Sequence, residues 1–286
     1  MRLRAAAVRI ASAVMLAGCA TVQPASGDEP FYTKQVEAAG IPIRSSARVS
    51  DEALTASRAM IADMLAHRPD LAAQLVRQDY TVSVIGLEEA LLDLPENAGW
   101  RKPARDDPRL TRCERIHYDE RIGRLTDREY WDARARGIGG QRTAVAEEDV
   151  LGLPISRYYG ETILVHEFAH NVLFAIQAAD PALYAEVEAA YADARAQRLW
   201  FNEYAMTTVQ EYWAEGTQFW FDSNKLVVVD GRRVLNHDDL AAYDPALYAL
   251  LARAYAPTHR LTGDPFWMHP ARVPPGPIPE NTAEVC

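Results

Sequence analysis

His166-Glu167-Phe168-Ala169-His170 sets two imidazoles four residues apart with a carboxylate between them. The flanks, Ile163-Leu164-Val165 and Asn171-Val172-Leu173-Phe174-Ala175-Ile176, are helical in character. On a helix this spacing puts both rings on one face, one turn apart, where they can share a tetrahedral zinc. Glu167 then points near the metal's open position and can take a proton from a water there. Two solvated histidines on a surface helix would do no such chemistry. The apolar flanks argue against that reading, because a buried histidine pair beside a buried glutamate is costly unless a metal compensates the charge.

A hydrolytic zinc site has three protein ligands and one open position. Ile176 stands six positions after His170, where the three-histidine class carries its third imidazole, so the third ligand is expected to be a carboxylate from another helix. Glu211-Tyr212-Trp213-Ala214-Glu215-Gly216 offers two glutamates one turn apart, with room before it for a helix over residues 180–199. By spacing either Glu211 or Glu215 can be that ligand, the other then orienting a ligand histidine. Asn202, Glu203 and Gln218 read as helix-end or surface residues. Tyr212, Trp213, Phe219, Trp220 and Phe221 read as core. His117, His237, His259 and His269 lack ligand spacing and receive no role.

His166-Glu167-Phe168-Ala169-His170, taken with Tyr204, Glu211 and Glu215, resembles the catalytic region of the anthrax-lethal-factor-like zinc peptidases, a branch of the gluzincins. In that family the first glutamate of a Glu-aromatic-aromatic-Ala-Glu segment binds zinc, and a tyrosine seven positions earlier faces the open side. Glu211 and Tyr204 occupy those positions here. Glu211 to Gly216, together with Leu240-Ala241-Ala242-Tyr243-Asp244-Pro245, also looks like a group of secreted bacterial and fungal zincin-like proteins. The resemblance is firm over residues 158–250 and faint over 31–150. It implies Zn2+ on His166, His170 and Glu211, Glu167 as general base, Tyr204 as a hydrogen-bond donor to the developing oxyanion, and a peptide or protein substrate. The rival expectation is a zincin-like lipoprotein that binds a partner or cell-envelope component without turnover. Glu167 weighs against it, since a purely structural zinc site needs no base.

Several elements must position these groups. Ser50-Asp51-Glu52 starts a helix with Leu54, Ile61, Met64 and Leu65 on one face, ended by Arg68-Pro69, and a second helix follows over residues 70–78. Residues 80–85 and 143–146 read as strands. Residues 96–142 read as irregular connection, and 159–255 as helical except for a turn at 222–233 containing the strand-like 226–229. Asp180-Pro181 and Asp244-Pro245 each supply an N-cap and a first-turn proline, and residues 265–279 a proline-rich tail. The expected fold is therefore α+β and zincin-like, a small twisted sheet over the His166–His170 helix with a mostly helical C-terminal half.

The 286 residues are 49% hydrophobic, enough for one catalytic domain over residues 31–286. The formal charge is −10; Arg2, Arg4 and Arg9 lie in an acid-free leader, so the remainder carries −13, which argues against nucleic acid. Residues 1–18 combine a basic start with a short apolar run, as in an export signal, and Leu16-Ala17-Gly18-Cys19 resembles a lipobox. Cys19 is then the lipid anchor, residues 19–30 a tether, and the cell envelope the location, the outer membrane favoured over the inner because no aspartate follows Cys19. Cleavage nearby to a free soluble protein is the plainer alternative. Cys113 and Cys286 are candidates for a disulfide in that oxidising compartment, and a monomer is expected.

Overall fold

The structure, a computed structural model, describes residues 30–108, 110 and 112–278. The leader, Cys19, most of the tether and Cys286 lie outside the described residues.

Ser50 opens helix α1 (Asp51–Leu65), its hydroxyl accepting the Ala53 amide at 3.2 Å, and Leu54, Ile61, Met64 and Leu65 bury the expected face. Helix α2 (Pro69–Arg77) follows. The sheet runs β1 (Lys34–Ala38), β2 (Ile41–Ser45), β3 (Thr81–Ile85) and β4 (Arg142–Ala146) in that spatial order. The first two strands form an antiparallel hairpin whose Ala39-Gly40 turn has φ of 49° and 84°, the left-handed pair that matches strand twist. The β2–β3 and β3–β4 pairs are parallel, with Val84 opposite Val145. Residues on β3 are buried throughout, as parallel strands covered on both faces must be. Ile138 forms an isolated antiparallel bridge with Ala144 of β4.

Helix α6 (Ile163–Ala179) carries the histidines. It is apolar on nearly every side because it is enclosed by β4, α2 and α8 (Val209–Trp220). Helix α7 (Pro181–Ala196), α9 (His237–Tyr243) and α10 (Pro245–Ala254) complete the helical C-terminal half, with a hairpin of β5 (Val227–Val229) and β6 (Arg232–Val234) between α8 and α9. The fold is α+β with a small mixed sheet.

Three segments differ from the sequence expectation. Residues 96–142 hold α3 (Arg112–Ile116), a π turn over Asp119–Gly123 and α4 (Asp127–Arg134), gathered round Leu110, Tyr118, Ile122 and Tyr130. Helix α4 is opened by a capping box in which Thr126 accepts the Glu129 amide and Glu129 accepts the Thr126 amide. After a turn of helix, α5 (Glu147–Val150), the chain reaches α6. Residues 197–208 leave the helical pattern: Arg198, Trp200 and Asn202 take φ of 60°, 55° and 63°, held by Trp200, which is buried. The proline-rich tail is anchored through Arg272, whose side chain donates to the Asn224 carbonyl at 2.8 Å while its own carbonyl accepts the Leu226 amide.

The twin caps differ in burial. Asp180 accepts the Leu183 amide at 3.2 Å and pairs with Arg68 at 3.3 Å near the surface. Asp244, 1% exposed, accepts the Leu247 amide at 3.0 Å, Trp200 Nε1 at 2.9 Å and the Tyr212 hydroxyl at 2.8 Å, tying α8, α10 and the 197–208 loop together. Asp180→Ala is expected to cost about 1 kcal/mol, the value of a cap. Asp244→Ala strands buried donors and is expected to cost about 3 kcal/mol or more. Urea unfolding of both variants measures the difference, and equal losses would contradict this account of the loop.

Candidate metal centre

Four-residue spacing on α6 brings the His166 and His170 rings to 5.0 Å between centroids, nearly perpendicular. Thr208 caps α8 by accepting the Glu211 amide at 3.1 Å, which fixes Glu211 in the first turn, facing α6. Glu211 Oε2 lies 2.9 Å from His166 Nε2 and 3.6 Å from His170 Nε2, and one donor atom from each residue lies within 4.8 Å of the others. Three donors at zinc-bonding distance round a tetrahedral ion stand about 3.3 Å apart, so these side chains fit one zinc. Among the described residues no other trio of histidine, cysteine or carboxylate groups converges in this way.

The surroundings of His166 select its tautomer. Gln218 Nε2 donates to the Thr162 carbonyl at 3.2 Å, which turns the amide oxygen towards His166 Nδ1 at 3.0 Å. Nδ1 therefore carries the proton that Gln218 accepts, and Nε2 is left to face Glu211 and the metal position. Glu215 is a second neighbour of the same nitrogen, 3.4 Å away, and accepts Asn224 Nδ2 at 2.8 Å. Gln218 is fully buried, not a surface residue, and Glu203 lines the cleft. Position 218 follows 211 and 215 by helical spacing, so one face of α8 carries all three, a signal that was available in the sequence.

Charge is crowded here. Burial opposes protonation of His166, but the Glu211 hydrogen bond and the nearby Glu215, Glu167 and Glu211 charges outweigh it and push its pKa up to about 10. Burial together with the His166 charge pushes His170 down to about 4. Burial raises Glu167 and Glu215 to about 7 each. Burial also opposes ionisation of Glu211, yet its bond to His166 holds it below the usual carboxylate range. One cationic ring among several buried carboxylates is a donor set that a dication suits.

Glu167, with Gly137 and Gly139 beside it, lines a cleft of about 780 Å³. The Tyr204 hydroxyl donates to Glu211 Oε1 at 3.2 Å, and its ring stacks 6.2 Å from that of His166. Leu110, Tyr130, Trp131 and Arg134 form one wall of the cleft, all from the stretch read as irregular in the sequence. Cys113 is buried in the same stretch. Tyr212, Trp213, Phe219, Trp220 and Phe221 are core. His237 and His259 stack face to face at 3.9 Å, away from the centre, with His237 held by Asp222 at 3.0 Å.

No known protein family and no curated protein matches the chain. Among solved structures it is similar to the PRO-PRO endopeptidase PPEP-2 from Paenibacillus alvei, with 15% sequence identity, a TM-score of 0.45, and coverage of 76% of this chain and 97% of that one.

Gln218→Met keeps the side-chain volume but removes the acceptor for His166 Nδ1. Loss of such a partner is expected to weaken zinc binding by about 10- to 100-fold. Competition with a chromophoric chelator measures it, and unchanged affinity would contradict the tautomer assignment.

Proposed function

We propose that the chain is a zinc-dependent metallopeptidase of the gluzincin type, with His166, His170 and Glu211 as ligands. The observation that carries this reading is the convergence of those donors from α6 and α8 beside Glu167 at the head of an open cleft. A structural site has no use for a carboxylate held next to the donors but outside the ligand set. When bound, zinc would polarise the scissile carbonyl and acidify a water. Glu167 takes the proton of that water and returns it to the leaving amine. Tyr204, whose hydroxyl lies beside the donors, donates a hydrogen bond to the oxyanion as it develops. Its position seven residues before Glu211 is the feature in favour of the lethal-factor-like branch.

The substrate in this reading is a peptide or protein that lies extended in the cleft, its backbone pairing with the sheet edge at residues 137–139. The lipobox supports an exported protein anchored to the cell envelope through Cys19, and the same compartment supports pairing of Cys113 with Cys286. Cys19→Ser is expected to abolish labelling by an isotopic fatty acid; a labelled variant contradicts the anchor.

Glu167→Gln is expected to slow peptide hydrolysis by about 10²- to 10⁴-fold, the contribution of a general base in this role, while leaving one zinc per chain. Cleavage of a peptide library, followed by mass spectrometry, measures it. Activity that survives the change contradicts the mechanism.

A further inference from the structure

Gly137 and Gly139 press against the face of α6 that carries the metal donors, and only glycine fits at these two positions. A Cβ on Gly139 would stand 2.6 Å from His170 Cδ2 and 2.7 Å from the Glu167 carbonyl oxygen, and one on Gly137 would stand 2.8 Å from Ile163 Cγ2. The same Gly137 Cβ would stand 3.2 Å from Glu167 Oε1, so the strap lies directly against the Glu167 carboxylate. Glycine backbone is permissive and does not hold such a position by itself, so the position is imposed from outside the segment.

One end is fastened by the sheet and by α6. Ile138 and Ala144 exchange two hydrogen bonds, at 3.0 and 2.9 Å, and the Gly140 amide donates to Asn171 Oδ1 at 3.0 Å. Asn171 donates in turn to Thr143 Oγ1 at 2.7 Å. The other end is fastened by Arg136. Its Nε and Nη2 donate to the two Glu148 oxygens at 2.7 and 2.9 Å, Nη2 also donates to the Gly86 carbonyl at 3.2 Å, and Nη1 donates to the Glu89 carbonyl. The paired side chains are only 13% and 10% exposed. The loop that supplies those carbonyls is itself braced, the Glu89 carboxylate accepting the Gly86 amide at 2.7 Å and the Ser46 hydroxyl at 2.6 Å. A planar fork that satisfies a carboxylate and two carbonyls at once is a task for arginine and not for lysine.

We infer that Arg136, locked by Glu148, is a positioning residue: it sets the 137–140 strap so that Gly137 and Gly139 pack against Glu167 and keep its carboxylate facing the cleft. The inference rests on the role proposed above for Glu167. Without the anchor the strap lifts from α6 and Glu167 samples other rotamers, so the chemical step slows while the metal donors, which Arg136 does not touch, stay in place.

The test uses the zinc-loaded full-length protein and the variants Arg136→Gln, Arg136→Lys and the pair Arg136→Gln/Glu148→Gln. The pair is included because removing one partner leaves the other charge buried and alone. Amide hydrogen exchange over residues 137–140 is expected to quicken by at least about tenfold in the folded variants. With one zinc retained, kcat is expected to fall by about 10- to 100-fold and KM to move less than threefold, the signature of misplacement in a reacting geometry. Arg136→Lys is expected to recover only part of both readouts. Unchanged exchange over 137–140, or quickened exchange with unchanged kcat, overturns the inference, as does a rise in KM alone. If the wild type cleaves no peptide, the proposed function fails, and exchange over 137–140 alone decides whether Arg136 anchors the strap.

Discussion

The structure depends on burying ionisable groups between α6 and α8. Two imidazoles and the carboxylates of Glu167, Glu211 and Glu215 sit where burial alone would neutralise them. Such a cluster persists only if its members compensate one another or share an ion. The pairing of His166 with Glu211 and the Gln218 and Asn224 hydrogen bonds supply that compensation within the protein. Zinc would replace the bridging proton and relieve the excess negative charge.

The rest of the molecule makes this cluster rigid. Apolar packing encloses α6 on the sheet side, while the aromatic residues of α8 pack into the C-terminal helices. Asp244 joins α8 to α10 and to the loop that delivers Tyr204, and Arg272 pins the segment that carries Asn224. From the other side, the glycine strap closes on α6 under the hold of Arg136. The polar network and the core therefore point to the same geometry, which is what preorganisation of a metal centre requires.

Much of this was legible in the sequence because it depends on local spacing. The helical period around 166–170, the caps at Ser50, Asp180 and Asp244, and the buried strands at 80–85 and 143–146 follow from residue type and neighbour. The hairpin of β1 and β2 was not anticipated: its strands are five residues each, and Pro42 and Arg44, on the face opposite Ile41 and Ile43, break up the apolar run along the chain. The cleft wall at 100–135 was also missed, because its elements are short and its many charges hide Leu110, Tyr118, Ile122 and Tyr130. The Thr126–Glu129 capping box was readable there and marks α4. Gln218 could have been picked out by its helical spacing from Glu211 and Glu215, whereas Arg136 acts through partners at residues 148 and 86, so no local pattern marks it.

The most direct measurement is the metal content of the purified protein by inductively coupled plasma mass spectrometry, in the wild type, Glu211→Ala and Glu215→Ala. The account predicts one zinc per chain in the wild type, lost with Glu211→Ala and largely kept with Glu215→Ala. A correctly folded wild type that takes up no zinc would contradict it.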